Sequence, residues 1–230
     1  MVHSSDMGAV KQAAWEERLR KTTLVIARLG LAFLFLSQLF WKMPPRYGCG
    51  AGPGFAFTTA APDGALVRTS GLCDWIGIES VYAQRPRSFF AIYNQDGDAL
   101  FSVPVAPLVR LNGAFIDGIV VPNFAWFGSL IFLAEAWIAL SLGLGLFSRL
   151  GALVAIGIAA QLALGVGGAQ DPAAHLQEWE WSYHLMVLLA IVLLGAAPGR
   201  VLGLDARLRP RLSAARDRGN RLARVLLALT

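Results

Sequence analysis

The chain has 230 residues, 56% of them hydrophobic and 15% charged, with a formal net charge of +5 and a mean hydropathy of +0.54. That balance is too apolar for an ordinary soluble domain of this length. It predicts an all-α integral membrane protein. Crossing a bilayer core of about 30 Å takes about 20 apolar residues of helix, and four windows of that kind occur, at residues 23–43, 124–147, 150–167 and 181–198. The expected fold is a four-transmembrane-helix bundle with an extended extracytoplasmic loop between the first two spans.

Residues 1–22 form a cytoplasmic amino-terminal segment. The first window ends in the bulky "LFWKMPP" without a small-x-small cleavage site, so it reads as an uncleaved span rather than a signal peptide. Arg28 and Lys42 flank it, with Gln38 on about the same helical face. Lys42 lies at the outer headgroups and reads as a snorkelling anchor. Arg28 lies about one and a half turns inside the cytoplasmic end, placed either to snorkel or to reach inward.

The loop at 44–121 is too long for a connector. Its Gly- and Pro-dense start, "PPRYGCGAGPGFAFTTAAPDGALV", reads as irregular, and "RSFFAIYNQDGDALFSV" as a hairpin around Asp96 and Gly97. "VAPLVRLNGAFIDGIVVPNF" has helical spacing and reads as an interfacial helix broken at Pro122. "GCGAGPG" lacks the strand before it and the helix after it that a phosphate loop needs. The chain's two cysteines, Cys49 and Cys73, both fall here. On the oxidising side of a membrane such a pair reads as one structural disulfide; a redox pair would lack Cys-x-x-Cys spacing, and no His lies near for a metal.

In the second span one acid, Glu135, shares its face with Gly128, Ala139 and Gly143 and should point into the bundle. An ionised carboxylate at that depth costs several kcal/mol, so Glu135 is expected either to be held protonated or to pair with a cation such as Arg28. Gln161 in the third span sits at about the same depth and is an expected partner. Also in the third span, Gly151, Ala155, Ala159, Ala163 and Gly167 recur every four positions as a close-packing seam. Before the fourth span, Trp179, Trp181 and Tyr183 resemble an aromatic belt, and His184 follows, either as a satisfied polar residue or as part of a ligand or proton path.

Lys11, Arg18, Arg20 and Lys21 precede the first span, Arg149 lies in the link between the second and third, and eight arginines follow residue 199, whereas the opposite side carries Asp171, Glu178 and Glu180. The positive-inside rule then puts both termini in the cytoplasm of a multi-pass plasma-membrane protein. Residues 23–199 form the membrane domain and residues 200–230 a basic cytoplasmic tail, suited to anionic lipid headgroups rather than nucleic acid.

The segments "ARLGLAFLFLSQLFWKM", "PNFAWFGSLIFLAEAWIALSLGLGLFSRLGAL" and "EWEWSYHLMVLLAIVLLGAAPGRVLGLDARL" cover all four windows. Together they resemble the DoxX family of integral membrane proteins, in its DoxD-like branch, named for the small subunit of a thiosulfate:quinone oxidoreductase. The family's ordered pattern falls here on Arg28, Lys42, Glu135, Arg149, Gly199, Arg200 and Asp205; the loop is longer than in compact members. The resemblance implies a quinone-linked redox subunit acting on a small sulfur compound such as thiosulfate. Its candidate catalytic residues are Glu135, Arg28 and His184, with Gln38, Lys42, Gln161 and Trp181 as candidate quinone-binding residues. No haem, flavin, iron–sulfur or metal motif is visible, so electron transfer calls for direct chemistry or a partner, a second redox subunit or a homo-oligomer. The competing classes are a non-catalytic scaffold for peripheral redox partners and a small-solute carrier with a proton or cation on Glu135.

Overall fold

The computed structural model describes residues 4–84, 88–96, 98–166 and 180–230. Among them are eight α-helices and two short antiparallel strand pairs. Helix α1, Ser4–Leu39, is 36 residues long, about 54 Å at 1.5 Å per residue. Its early turns are exposed and polar, with Glu17 paired to Arg20 at 2.8 Å and to Lys21 at 3.1 Å. From Thr23 onward it is apolar. The helix stops before the expected boundary at residue 43. The Lys42 N–H bonds to the Leu39 carbonyl at 3.1 Å, so Lys42 lies on a turn just past the helix end.

Three helical stretches are long and apolar enough to cross a membrane: Lys11–Leu39, Phe124–Leu144 and Ser148–Gly165. The last two are α4 and α5 in chain order. Helix α6, Glu180–Ala196, has 17 residues, with Ser182–Ala196 a shorter apolar stretch. The expected small-residue seam is buried at Gly151, Ala155, Ala159 and Ala163, while Gly167 lies outside the described residues.

The chain divides into two compact units, one of residues 1–36, 137–154 and 189–230, the other of residues 37–136 and 155–188. Most of the second is the segment between α1 and α4. Its bends through residues 51–54 fit the Gly/Pro content, but the rest is more ordered than the sequence suggests. Strands β1 (Thr59–Ala60) and β2 (Leu66–Val67) pair antiparallel, Thr59 opposite Val67. Strands β3 (Ser88–Tyr93) and β4 (Ala99–Pro104) form the expected hairpin, with register irregularities after Phe89. Asn94 and Asp98 close its turn, the Asp98 N–H donating to Asn94 Oδ1 at 2.7 Å; Gly97 lies outside the described residues. Helix α3, Ala106–Phe115, continues into a π-turn, Ile116–Val120, and the break at Pro122 separates it from α4.

Between α1 and α4 lies a helix that the sequence did not lead us to expect, α2, Gly71–Ala83. Tyr47, Cys49, Leu72, Cys73, Ile76 and Phe124 form a buried cluster, in which Phe57 and Tyr47 meet Phe124 edge-on at 5.1 and 5.6 Å. Cys49 and Cys73 are joined inside it, with Cα atoms 5.5 Å apart. Both are buried. That setting suits a structural bond, because thiol–disulfide exchange needs access to a sulfur.

In the first unit, Gly145 takes φ +63 at the tight turn from α4 to α5, a left-handed conformation that favours glycine. Asp205, in the first turn of α7 (Leu204–Asp217), accepts from the Phe147 and Ser148 N–H groups at 2.7 and 2.9 Å and from Ser148 Oγ at 2.7 Å. It supplies α5 with the acceptor that its free N-terminal N–H groups need. Asn220 caps α8 (Arg221–Leu229) by accepting from the Ala223 N–H at 3.1 Å. The basic tail therefore consists largely of two helices.

Candidate functional site

Among the described residues the second unit holds three buried carboxyl groups: Asp74, paired with Arg68 and Thr58 at 2.6 Å each, and the glutamates Glu79 and Glu135. Glu135 lies near the middle of α4, and its Oε1 accepts from Lys42 Nζ at 2.7 Å, with both side chains almost fully buried. The turn after α1 makes this reach possible: Lys42, released from the helix, lies over the Trp41 ring at 5.1 Å and turns its ammonium to the acid. The expected snorkelling role of Lys42 therefore gives way to an ion pair. Taking two charges out of water costs several kcal/mol each, and their attraction repays this only when the remaining lone pairs and protons are also satisfied. Here they are not. Glu135 Oε2 is buried with no hydrogen-bond partner among the described residues.

The expected partners of Glu135 bond elsewhere. The Gln161 amide donates to Glu79 Oε2, which also accepts from Asn112 Nδ2 at 3.0 Å. Glu79 projects from α2 and is 1% exposed. Burial pushes its carboxyl up to about 8, with the hydrogen bonds from Asn112 and Gln161 opposing that shift. The close approach depends on Gly165, where a Cβ atom would overlap the Glu79 carboxylate. A depth argument along α5 could not find this partner, because "GLCDWIGIESVYA" sits in a loop rich in glycine and proline. The available signal was Ser70 at the N-cap position with Leu72, Ile76 and Glu79 at helical spacing behind it.

Arg28 belongs to the first unit, 3% exposed. It donates to the carbonyl oxygens of Leu202 at 2.8 Å and Pro198 at 3.4 Å, in place of the expected reach toward Glu135. Its Nε is buried without a partner among the described residues. Gln38 is exposed near the end of α1 and accepts from Trp41 Nε1 at 2.9 Å. His184 is half-buried in the second turn of α6, and the Trp181 side chain lies outside the described ones, as do Trp179, Asp171 and Glu178. Of the residues singled out by sequence, Lys42 and Glu135 are brought into direct contact.

Chemically the pair offers an ammonium with three donors, one of them engaged by Glu135, and a carboxylate oxygen with free lone pairs. It can donate to one oxygen of a small molecule and take a proton from, or return one to, another. Among the described residues no group of three His, Cys, Asp or Glu could hold a metal ion. No protein-family model, curated protein or solved structure matches the chain, whose helices nonetheless have the length and apolarity of a membrane protein.

Proposed function

We propose that the chain is a four-span integral membrane protein of the DoxX type, DoxD-like, and serves as a quinone-linked redox subunit that draws electrons from a small sulfur compound such as thiosulfate. The observation that carries this reading is the buried Lys42–Glu135 pair with its second carboxylate oxygen unpartnered. A quinone head group has carbonyl oxygens that need a donor and, once reduced, hydroxyls that need an acceptor. Lys42 Nζ and Glu135 Oε2 are of the matching kinds, so the residues fit the group. When bound, the quinone supplies a two-electron, two-proton acceptor. Lys42 orients it by donating to a carbonyl oxygen, and Glu135 holds and delivers a proton at Oε2, keeping that exchange away from bulk water.

The fourth span in this reading is α6, which is apolar and exposes Leu185, Leu188, Ile191 and Val192 as lipid-facing side chains. The arginine distribution supports cytoplasmic termini, with residues 44–121 on the opposite side. Electron transfer to such a group would need either direct chemistry with the sulfur compound or a second subunit that carries it.

The test is Glu135→Gln in purified protein, assayed for thiosulfate-dependent quinone reduction. The amide keeps the shape and can still accept from Lys42, but it cannot exchange a proton. A folded variant is expected to lose reduction by about 10²- to 10⁴-fold, the range for a lost general acid–base group. A folded and fully active variant contradicts the role of Glu135. A stable co-purifying partner with no turnover in the wild type would favour the scaffold.

A further inference from the structure

Helices α7 and α8 make an open groove of about 430 Å³ lined by Arg200, Arg209, Arg216, Ser213, Pro210 and Leu227. Residues 200–230 carry eight arginines against two aspartates. One aspartate, Asp205, is buried at the α5 turn, and the other, Asp217, is exposed beside Arg216 at 2.8 Å, a surface pair of little strength. Burial, together with the Arg149 and Arg209 guanidinium groups, pulls the Arg200 ionisation below its ordinary value, with Asp205 opposing. Arg200, Arg209 and Arg216 line the same groove, so three like charges face one space.

Helix capping explains part of this arrangement. Arg200 donates to the Thr230 carbonyl at 2.8 and 3.1 Å, and Arg209 to that of Leu227 at 3.4 Å, as cations near a helix C-terminus do. Arg216 lies in the last turn of α7 but bonds to no helix-end carbonyl, its guanidinium meeting the side chains of Ser213 and Asp217 on its own helix. A second feature points to the same surroundings. Helix α8 leaves Leu222 and Val225 65% and 57% exposed, with the exposed Arg221 and Arg224 bordering them, Arg221 one turn before Val225. An amphipathic basic helix of this kind lies in the headgroup–acyl boundary of a bilayer.

We propose that the α7–α8 groove binds the phosphate of an anionic phospholipid, with the apolar face of α8 inserted at the boundary of the same leaflet. Arg209 and Arg216 contact the phosphate, and Ser213 between them offers a hydroxyl donor. The leaflet it contacts is the one that carries acidic lipids, and the site does not depend on the quinone chemistry.

The experiment is native mass spectrometry of the full chain in detergent, titrated with phosphatidylglycerol or with phosphatidylcholine of the same acyl chains. The wild type is expected to retain phosphatidylglycerol selectively. Arg216→Gln should weaken that retention about five-fold, and R209Q/R216Q about thirty-fold, at the usual contribution of each arginine near an anionic surface. Phosphatidylcholine adducts should not change. Equal retention of the two lipids, or variants that bind phosphatidylglycerol as the wild type does, would overturn the proposal. So would displacement of the lipid by an equal concentration of inorganic phosphate, or a lipid-free dimer lost in R216Q. Should the double variant fail to fold, R216Q and the wild-type lipid comparison still decide the matter.

Discussion

Glu135 was legible in the sequence because an acid in an apolar span needs a reason, but its partner was not. Counting rise per residue placed Gln161 at about the depth of Glu135 and Lys42 at the headgroups, and for Lys42 that count assumed a helix running to residue 43. The helix ends at Leu39, which frees Lys42 to fold back. If the pair is a buried ion pair, Lys42→Met should cost about 3–5 kcal/mol by leaving a carboxylate uncompensated, and K42M/E135L should recover most of that loss. Denaturation in detergent measures both, and a K42M protein as stable as the wild type contradicts the pairing. Glu79 makes a different prediction. Its folded value near 8 lies above the ordinary 4.5, so the folded state retains a proton that the unfolded chain has released. The stability it contributes is present in full below pH 4.5 and is lost as pH rises toward about 8. Glu79→Gln mimics the protonated acid and should flatten that decline, raising the melting temperature at pH 8 more than at pH 5. An equal change at both values would show that Glu79 is already ionised in the fold.

Elements differed in how plainly the sequence announced them. Helices α1, α4 and α5 follow from apolar windows, and the β3–β4 hairpin from alternation around Asp96. Helices α2, α7 and α8 did not stand out, for two physical reasons. Helix α2 is held by long-range contacts, its Thr58–Asp74 bond at 2.6 Å and the Cys49–Cys73 link among them, that local propensity does not report. The apolar residues of α8 are masked by arginines, so the segment reads as a charged tail although Leu222, Val225 and Leu229 keep helical spacing. Because α2 is tied to the segment after α1 by the disulfide, C49S/C73S should lower stability by about 2–4 kcal/mol through loop closure. Membrane insertion should be unaffected, since neither cysteine lies in a span. Chemical denaturation with and without reductant checks this, and an unchanged midpoint in the double variant would contradict a structural role.

At the scale of the whole molecule, the solvent is the strongest inference. Ile26, Phe33, Trp126, Leu133, Leu140, Leu153 and Leu188 are all about half exposed or more on the apolar helices, a pattern that water would penalise and lipid would not. A membrane setting in turn raises the cost of the Lys42–Glu135 pair and of its unpartnered oxygen, and the account rests on that cost being offset by a bound quinone. The most direct test is therefore whether the protein holds one. Protein purified in mild detergent should carry lipid-soluble quinone that mass spectrometry detects in near-stoichiometric amount. In K42M/E135L that content should fall by about ten-fold or more, while total bound phospholipid stays the same. Wild-type protein with intact bound lipid and no quinone, or equal quinone in the double variant, would contradict the account.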